Sequence, residues 1–360
     1  MRLFQLSSLI TDHSSQITKH ISLIKNPTMK KLILLLTLLC PLLMWAQKMA
    51  AFRNVVPDGY NFWLYTPADY DSTSSNKKPL IVFLHGSSLS GSDLSRVRRY
   101  GTLDALEMGR KIDAVIVAPQ TPGGGWTSSK IMNVINWVRE RYVTDTNRMY
   151  VLGMSMGGYG TIDFVGTYPE KVAAAMALCG GGHLKSYCGL NEVPLWIMHG
   201  TADKAVSVSE SQKVVNAMKE CGDTDLLRFT KLPGKNHSDL ARIFYLDETY
   251  EWLFAHSRAD SVRSVNKEID INNNTMTEAY QNINRNTGIA TVNGQTGKEE
   301  VKTTPAAAPT KSSAQYHTIK KGDTLSAIAR KYHTSVAKLC KLNKIKETTI
   351  LQIGKKLKVR

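Results

Sequence analysis

Cysteine is scarce in this chain. Five occur in 360 residues, none forms C-x-x-C, and no histidines are paired at a metal-binding spacing, so no metal site is expected. Internal repeats are absent. Aromatic residues almost vanish between 257 and 314, where Asn, Thr, Ser, Ala and Gly dominate and Pro305-Ala-Ala-Ala-Pro309 intervenes. That composition cannot bury enough apolar surface to order itself, so it reads as a flexible linker. The apolar run Leu32–Leu39 is marginal in length for a membrane span.

Excess charge is also missing from most of the molecule. The formal net charge is +16, yet residues 47–256 carry only +1 and residues 257–314 another +1. Residues 1–46 carry +4 and residues 315–360 carry +10. A basic end of this kind either meets an anionic partner, such as cell-wall polymer, nucleic acid or a membrane surface, or is a solvated surface. The hydrophobic share of 42% suffices for one large core, and the length allows a small second domain.

What is present begins with MKKLILLLTLLCPLLMWAQ at 29–47. Two lysines, an apolar run, the break at Pro41 and Trp45-Ala46-Gln47 follow the layout of a secretory signal peptide. Cleavage is placed after Ala46, and translation is expected to start at Met29. Residues 1–46 are then an N-terminal extension and signal. Leu39 before Cys40, and the apolar sequence after it, argue against a lipoprotein anchor. Export implies an oxidising compartment. Of the remaining cysteines, a Cys179–Cys188 bridge, a Cys188–Cys221 bridge and buried free thiols all stay open.

Between Tyr60 and His256 short apolar runs alternate with helical patterns. The runs Asn61–Thr66, Leu80–Leu84, Ala114–Ala118, Met149–Leu152, Ala173–Leu178, Leu195–Met198 and Leu226–Leu232 are bounded by Gly, Pro or Asn. Several are continuously apolar, as strands buried on both faces of a parallel sheet are. Helices are expected at Asp93–Met108, Ser128–Tyr142, Gly158–Tyr168, Ser207–Cys221 and Asp239–Phe254. This alternation predicts an α/β, doubly wound, mostly parallel sheet over 47–256.

The chemistry is carried by Gly153-Met-Ser-Met-Gly157, at a strand-to-helix junction. A serine hydroxyl needs an aimed position and a base. A glycine-flanked turn supplies the aim, and the Met156 amide then points where an oxyanion forms. The base and acid should follow on later strand ends. Asp203 follows the Leu195–Met198 run and His237 follows the Leu226–Leu232 run, in the order Ser155, Asp203, His237. Asp203 would hold the imidazole of His237, the general base and then general acid. Asp239 and Asp247 are competing acids, but their place in the order is wrong. The second oxyanion donor is assigned to the Ser87 amide after His85-Gly86, with Ser88 as competitor. His85 and His199 are expected to orient loops, His183 to line a pocket or lie on the surface, and His256 to be solvated. Trp126, after Pro122-Gly-Gly-Gly125, is a candidate wall for the acyl or alcohol group.

These residues resemble the α/β-hydrolase superfamily, near the feruloyl and acetyl-xylan esterases and the phospholipase/carboxylesterase type. The resemblance covers residues 50–256 and rests on His85-Gly86, Gly153–Gly158, Asp203 and His237. It implies a serine nucleophile, an acyl-enzyme intermediate, no metal and no organic cofactor. No insertion large enough for a cap domain separates Gly158 from Asp203, which implies an open site.

Residues 316–360 return to apolar periodicity. Tyr316–Ile319 and Leu357–Val359 read as strands, Asp323 or Thr324 as the cap of a helix bearing Leu325, Ile328, Ala329 and Tyr332, and Ser335–Lys341 as a second helix. Tyr316, Gly322-Asp-Thr-Leu325, Ile328-Ala329, Leu342-Asn343 and Leu351-Gln-Ile-Gly354 with Leu357 resemble the LysM module, here a small α+β (βααβ) domain at 315–360. That resemblance implies binding of glycans containing N-acetylglucosamine, such as peptidoglycan or chitin. The implied groove lies between Gly322, Asp323, Thr324 and Leu325 on one side and Ile350 and Leu351 on the other. The proline usual late in the second loop is absent, with Ile353 before Gly354. The whole reads as an exported, wall-associated serine esterase with a glycan-linked ester substrate, no nucleic-acid partner and no stable membrane span after signal cleavage. A serine peptidase and a non-catalytic wall-binding protein are the rivals.

Overall fold

The continuous apolar runs become the middle of a nine-stranded sheet. The computed structural model describes residues 47–281, 283, 287–296, 316–320, 323–332, 334, 336–346, 349 and 351–359. Residues 1–46, with Met29 and the expected cleavage site, and residues 297–315 lie outside them. The chain divides into two units, Met1–Glu299 and Glu300–Arg360.

In the first unit the strands are β1 (Lys48–Arg53), β2 (Asn61–Thr66), β3 (Leu80–Leu84), β4 (Val115–Gln120), β5 (Met149–Met154), β6 (Ala174–Leu178), β7 (Leu195–Gly200), β8 (Leu227–Leu232) and β9 (Ala290–Thr296). Their order is β8-β7-β6-β5-β3-β4-β2-β1-β9. Strands β3 to β8 run parallel, while β2 pairs antiparallel with both β1 and β4. Every residue of β3, β5 and β7 is buried, which is why their sequences show no alternation.

Helices cover both faces, as the doubly wound expectation requires. They are α1 (Thr102–Glu107), α2 (Ser128–Arg139), α3 (Met156–Thr167), α4 (Val208–Glu220) and α5 (Asp247–Phe254). On one face Ile81 and Phe83 of β3 pack with Leu103 of α1 and Trp252 of α5. On the other, Val82 and Leu84 pack with Ile135 of α2, Phe164 of α3 and Val214 of α4. This is the doubly wound, mostly parallel arrangement the alternation predicts. Strand order reverses around β3, so the ends of β3 and β5 lie side by side, with Leu84 opposite Gly153. Open parallel sheets place their sites at such a reversal.

Three expectations are corrected. The helix expected over Asp93–Met108 is two pieces, a 3-10 helix at Leu94–Arg98 and α1. Gly101 separates them at φ +91, where a Cβ would meet the Phe83 ring at 2.1 Å. The helix expected over Asp239–Phe254 divides at extended Leu246 into a 3-10 helix, Ser238–Tyr245, and α5. The linker expected from 257 begins later. Val265, Ile271, Met276 and Ala279 are buried in the same core as α5. Arg263 donates to the Ala173 carbonyl at 2.8 Å, Trp252 Nε1 to the Asn266 carbonyl at 3.0 Å, and Arg228 pairs with Asp270 at 2.6 Å. β9 then pairs in parallel with β1. The polar residues that made this stretch look unstructured serve its turns, as where Asn272 Oδ1 accepts from the Asn274 amide at 2.8 Å.

Of the open cysteine pairings, Cys188–Cys221 is the bond formed, while Cys179 and Cys340 are buried free thiols. It ties the 3-10 helix Cys188–Glu192 to the C-terminal cap of α4.

The second unit pairs β10 (Tyr316–Thr318) antiparallel with β11 (Lys356–Lys358), and carries α6 (Leu325–Lys331) and α7 (Val336–Asn343). Its core is Ile319, Leu325, Ile328, Ala329, Leu339, Cys340, Leu357 and Val359. The expected βααβ order is present.

Candidate active site

The strand-to-helix turn at Ser155 is held in a conformation that ordinary residues avoid. Ser155 has φ 59 and ψ −123 and is the N-cap residue of α3. Its side chain makes no capping hydrogen bond, so the hydroxyl is not spent on the helix. A non-glycine residue at positive φ stores strain, and strain of this kind clusters at functional turns. The glycines on either side are needed for space. A Cβ on Gly157 would lie 1.8 Å from the Leu84 carbonyl oxygen, and one on Gly153 would lie 2.3 Å from the Gly157 oxygen. Only bare backbone lets α3 start this close to β3.

The other two expected residues are bonded to each other. His237 Nδ1–H donates to Asp203 Oδ2 at 2.7 Å. Asp203 Oδ1 accepts from the amides of Ala205 and Val206, both at 2.9 Å, and its carboxylate is fully buried. Burial opposes its charge, but the Val206 amide, His237 and the Ala205 amide outweigh burial and hold the carboxyl below its ordinary value. With Nδ1 donating, Nε2 of His237 is the basic nitrogen. The competing acids are occupied elsewhere: Asp239 accepts from the Asn236 amide at 2.9 Å, and Asp247 pairs with Arg110 at 2.8 Å.

Cys179, for which the sequence left a bridge and a buried free thiol open, is a buried thiol that lies against this pair. The Ser155 amide donates to the carbonyl of Leu178, the residue before Cys179, at 2.9 Å. The ligand-capable atoms of Cys179, Asp203 and His237 lie within 4.8 Å of one another. Burial pushes the thiol far above its ordinary value, so it stays protonated. Cys179 itself has φ 38. A glycine neighbour, Cys179-Gly180, was the sequence signal available.

His199 and His85 orient loops. His199 Nε2 lies 2.9 Å from the Val206 carbonyl and 3.5 Å from Asp203 Oδ2, and Nδ1 lies 2.8 Å from Ser211 Oγ. His85 Nδ1–H donates to the Gly86 carbonyl at 2.7 Å, and Nε2 accepts from the Thr121 amide at 3.3 Å. Burial pushes the His85 pKa down to about 4, so it stays neutral. His256, expected in solvent, is instead 3% exposed. Its Nδ1–H donates to the Trp252 carbonyl at 2.7 Å and its Nε2 accepts from the Asn266 amide at 3.1 Å. The segment after it folds back and covers it.

Ser87 opens a short 3-10 helix, Ser87–Leu89, directly after Gly86. A Cβ on Gly86 would lie 3.4 Å from Ser155 Cβ, so this loop sits beside the serine. The Gly86 amide is taken by Tyr100 Oη at 2.9 Å, and no hydrogen bond among the described residues uses the Ser87 or Ser88 amide. Met156 is the first residue of α3, where helix geometry leaves the amide without an intrahelical acceptor.

A cleft of about 640 Å³ opens beside Met156. Trp126 lines it, as expected of that residue's position, with Tyr159, Asp163, His183 and Glu210. Trp126 Nε1–H donates to the His85 carbonyl at 3.1 Å, and its ring lies edge-on to His85 and Tyr60. His183 is therefore a cleft residue with an exposed ring. Tyr159 and Asp163 follow Ser155 at four and eight residues on α3, a one-face spacing that reading the helix by period would have found.

In the second unit the Asp323 carboxylate is engaged internally, by His317 Nε2 at 2.7 Å and the Lys320 amide at 2.8 Å. Leu325 packs in the core of this unit. Thr324 is exposed, and Leu351 packs half-buried against the core. Gly322 and Ile350 lie outside the described residues.

Comparison with known proteins finds family matches in two separate stretches. Residues 317–360 match the LysM domain, and residues 120–190, which include Ser155, match the prolyl oligopeptidase family. A probable acetylxylan esterase A of Neosartorya fischeri is 32% identical over 90 residues, 25% of this chain and 24% of that protein. Acetylxylan esterase A of Aspergillus ficuum is 24% identical over 156 residues, 39% of this chain and 48% of that one. The matches thus span between a quarter and a half of those relatives. A crystal structure of a thermostable esterase shares 27% identity with a TM-score of 0.48, covering 60% of this chain and 64% of its own.

Proposed function

We propose that this chain is an exported serine hydrolase of carboxylic esters, acting on a glycan-linked ester and held to N-acetylglucosamine-containing glycan by its LysM domain. The observation that carries the reading is the 2.7 Å His237–Asp203 bond on loops after β8 and β7, in a chain that also holds Ser155 in a strained turn after β5. Resemblance to acetylxylan esterases supports the ester and the sugar, and the LysM match supports the tether.

In this mechanism His237 Nε2 takes the Ser155 proton as Oγ attacks the ester carbonyl. Asp203 fixes the tautomer and stabilises the imidazolium. The Met156 and Ser87 amides receive the oxyanion. The imidazolium then protonates the sugar oxygen as its bond to the acyl carbon breaks, the acyl group stays on Ser155, and water activated by His237 releases the acid. The LysM domain raises the local substrate concentration without touching the reaction. The Cys188–Cys221 bond accords with an oxidising destination, and among the described residues no helix is long and apolar enough to cross a membrane.

Hydrolysis of 4-nitrophenyl acetate tests the reading. Turnover should fall at least about 1000-fold in Ser155→Ala. Turnover absent in the native protein, or retained in that variant, refutes it. The match to the prolyl oligopeptidase family favours a second reading, amide hydrolysis by the same residues. Faster cleavage of peptide 4-nitroanilides than of acetylated sugars selects it.

A further inference from the structure

The cleft beside Met156 has an unbalanced charge. Its lining residues include two carboxylates, Asp163 and Glu210, and no Lys or Arg. Both are fixed. Asp163 accepts from the His183 amide at 2.7 Å and faces His183 Nδ1 at 3.0 Å. Glu210 accepts from Lys213 at 2.6 Å, a contact that keeps its carboxyl below the ordinary value. Lys213 itself is 71% exposed and stands outside the lining. Between the carboxylates Tyr159 donates to Glu210 at 3.4 Å. Burial and the Glu210 charge push its phenol up to about 12, so it adds no third charge. The His183 ring stacks on Tyr159 at 5.1 Å, and with Trp126 these rings give the cleft apolar faces.

We propose that Asp163 and Glu210 make this cleft a charge filter for the sugar that carries the ester, admitting neutral residues and turning away sugars that bear a carboxylate. This rests on the reading of Ser155 as the esterase nucleophile. Ring faces pack against the C–H faces of a sugar, and fixed carboxylate oxygens accept its hydroxyl protons. An anionic sugar instead meets two like charges in a wet cleft. At about 7 Å and a dielectric close to that of water, with Lys213 offsetting part of the Glu210 field, the repulsion amounts to about a five- to tenfold penalty in kcat/KM.

The experiment compares two substrates differing by one charge, methyl 2-O-acetylglucoside and methyl 2-O-acetylglucuronide, by acetate release. The readout is the ratio of their kcat/KM values in the native protein, Asp163→Asn, Glu210→Gln and the double variant. The native protein should favour the neutral sugar about five- to tenfold at low ionic strength, and raising the salt to about 0.5 M should narrow the ratio. Each single variant should narrow it too, and the double variant should bring it to about twofold or less. A native ratio near one, or a ratio unmoved by salt and by both substitutions, overturns the filter. Should the double variant fail to fold, the salt dependence of the native ratio decides. Absence of Ser155-dependent release from either sugar overturns the esterase reading and the filter with it, whereas release at equal rates overturns the filter alone.

Discussion

Replacing Cys188 and Cys221 together by serine should cost stability and leave the chemistry intact. The bond closes a loop with a sequence separation of 33 residues. Releasing that constraint on the unfolded chain is worth about 3.7 kcal/mol at ~25 °C in the chain-entropy relation. For a domain of this size about 2–4 °C follow each kcal/mol, so the melting temperature should drop by about 7–15 °C. The remaining thiols, Cys179 and Cys340, are buried and offer no replacement bridge. The enclosed loop contains β7, Asp203 and all of α4, but β7 and Asp203 are held by ladder bonds and by the Ala205 and Val206 amides. Scanning calorimetry of the oxidised native protein and the double variant measures the shift, and reductant added to the native protein should reproduce it. Ester turnover at 25 °C should stay within about twofold, because a global stability loss of this size still leaves the native state dominant. A shift under about 2 °C, or lost turnover with an unshifted melting point, refutes the reasoning.

Asp203→Asn should lower kcat by about 10,000-fold with little change in KM, because the amide favours the wrong tautomer of His237; steady-state kinetics on a 4-nitrophenyl ester reads it. Gly160→Ala places a Cβ 2.6 Å from the Trp126 ring, so it should cost about 1–3 kcal/mol and shift tryptophan emission; an unchanged spectrum and melting point count against the packing described. Acid should destabilise the first unit below about pH 6.5. His85, His199 and His256 all have lowered values, chiefly from burial, so the unfolded chain takes up protons first and stability falls as pH drops from 6.5, for His85 down to about 4. Melting temperature against pH checks this, and His256→Gln should flatten part of the slope.

The positions of Ser155, Asp203 and His237 after β5, β7 and β8 were legible because they follow from strand ends. Leu80–Leu84, Met149–Met154 and Leu195–Gly200 are buried on both faces, so unbroken apolar runs marked them, and Ser155 and Asp203 fell at their ends. The edges were not legible. Lys48–Arg53 and Ala290–Thr296, at the far end of the sheet, have mixed or polar sequences with no continuous apolar run. The cleft's charge was also hidden. Asp163, His183 and Glu210 come from α3, the loop after β6, and α4, and only the sheet order brings them together. The segment after 256 misled most, since its buried residues, Val265, Ile271, Met276 and Ala279, recur with no helical or strand period.

That segment has a practical meaning for anyone dividing the protein. A catalytic piece ended at 256, where the composition changes, would lose four buried side chains, open the core residues they cover to water and strip His256 of its cover. Each large apolar side chain so exposed forfeits roughly 1.5–3 kcal/mol. It would also bare the outer edge of β1, now hydrogen-bonded to β9, and an unpaired edge is a template on which a second molecule can add. Such a fragment should precipitate rather than work. A piece carried through Thr296 keeps its edge covered.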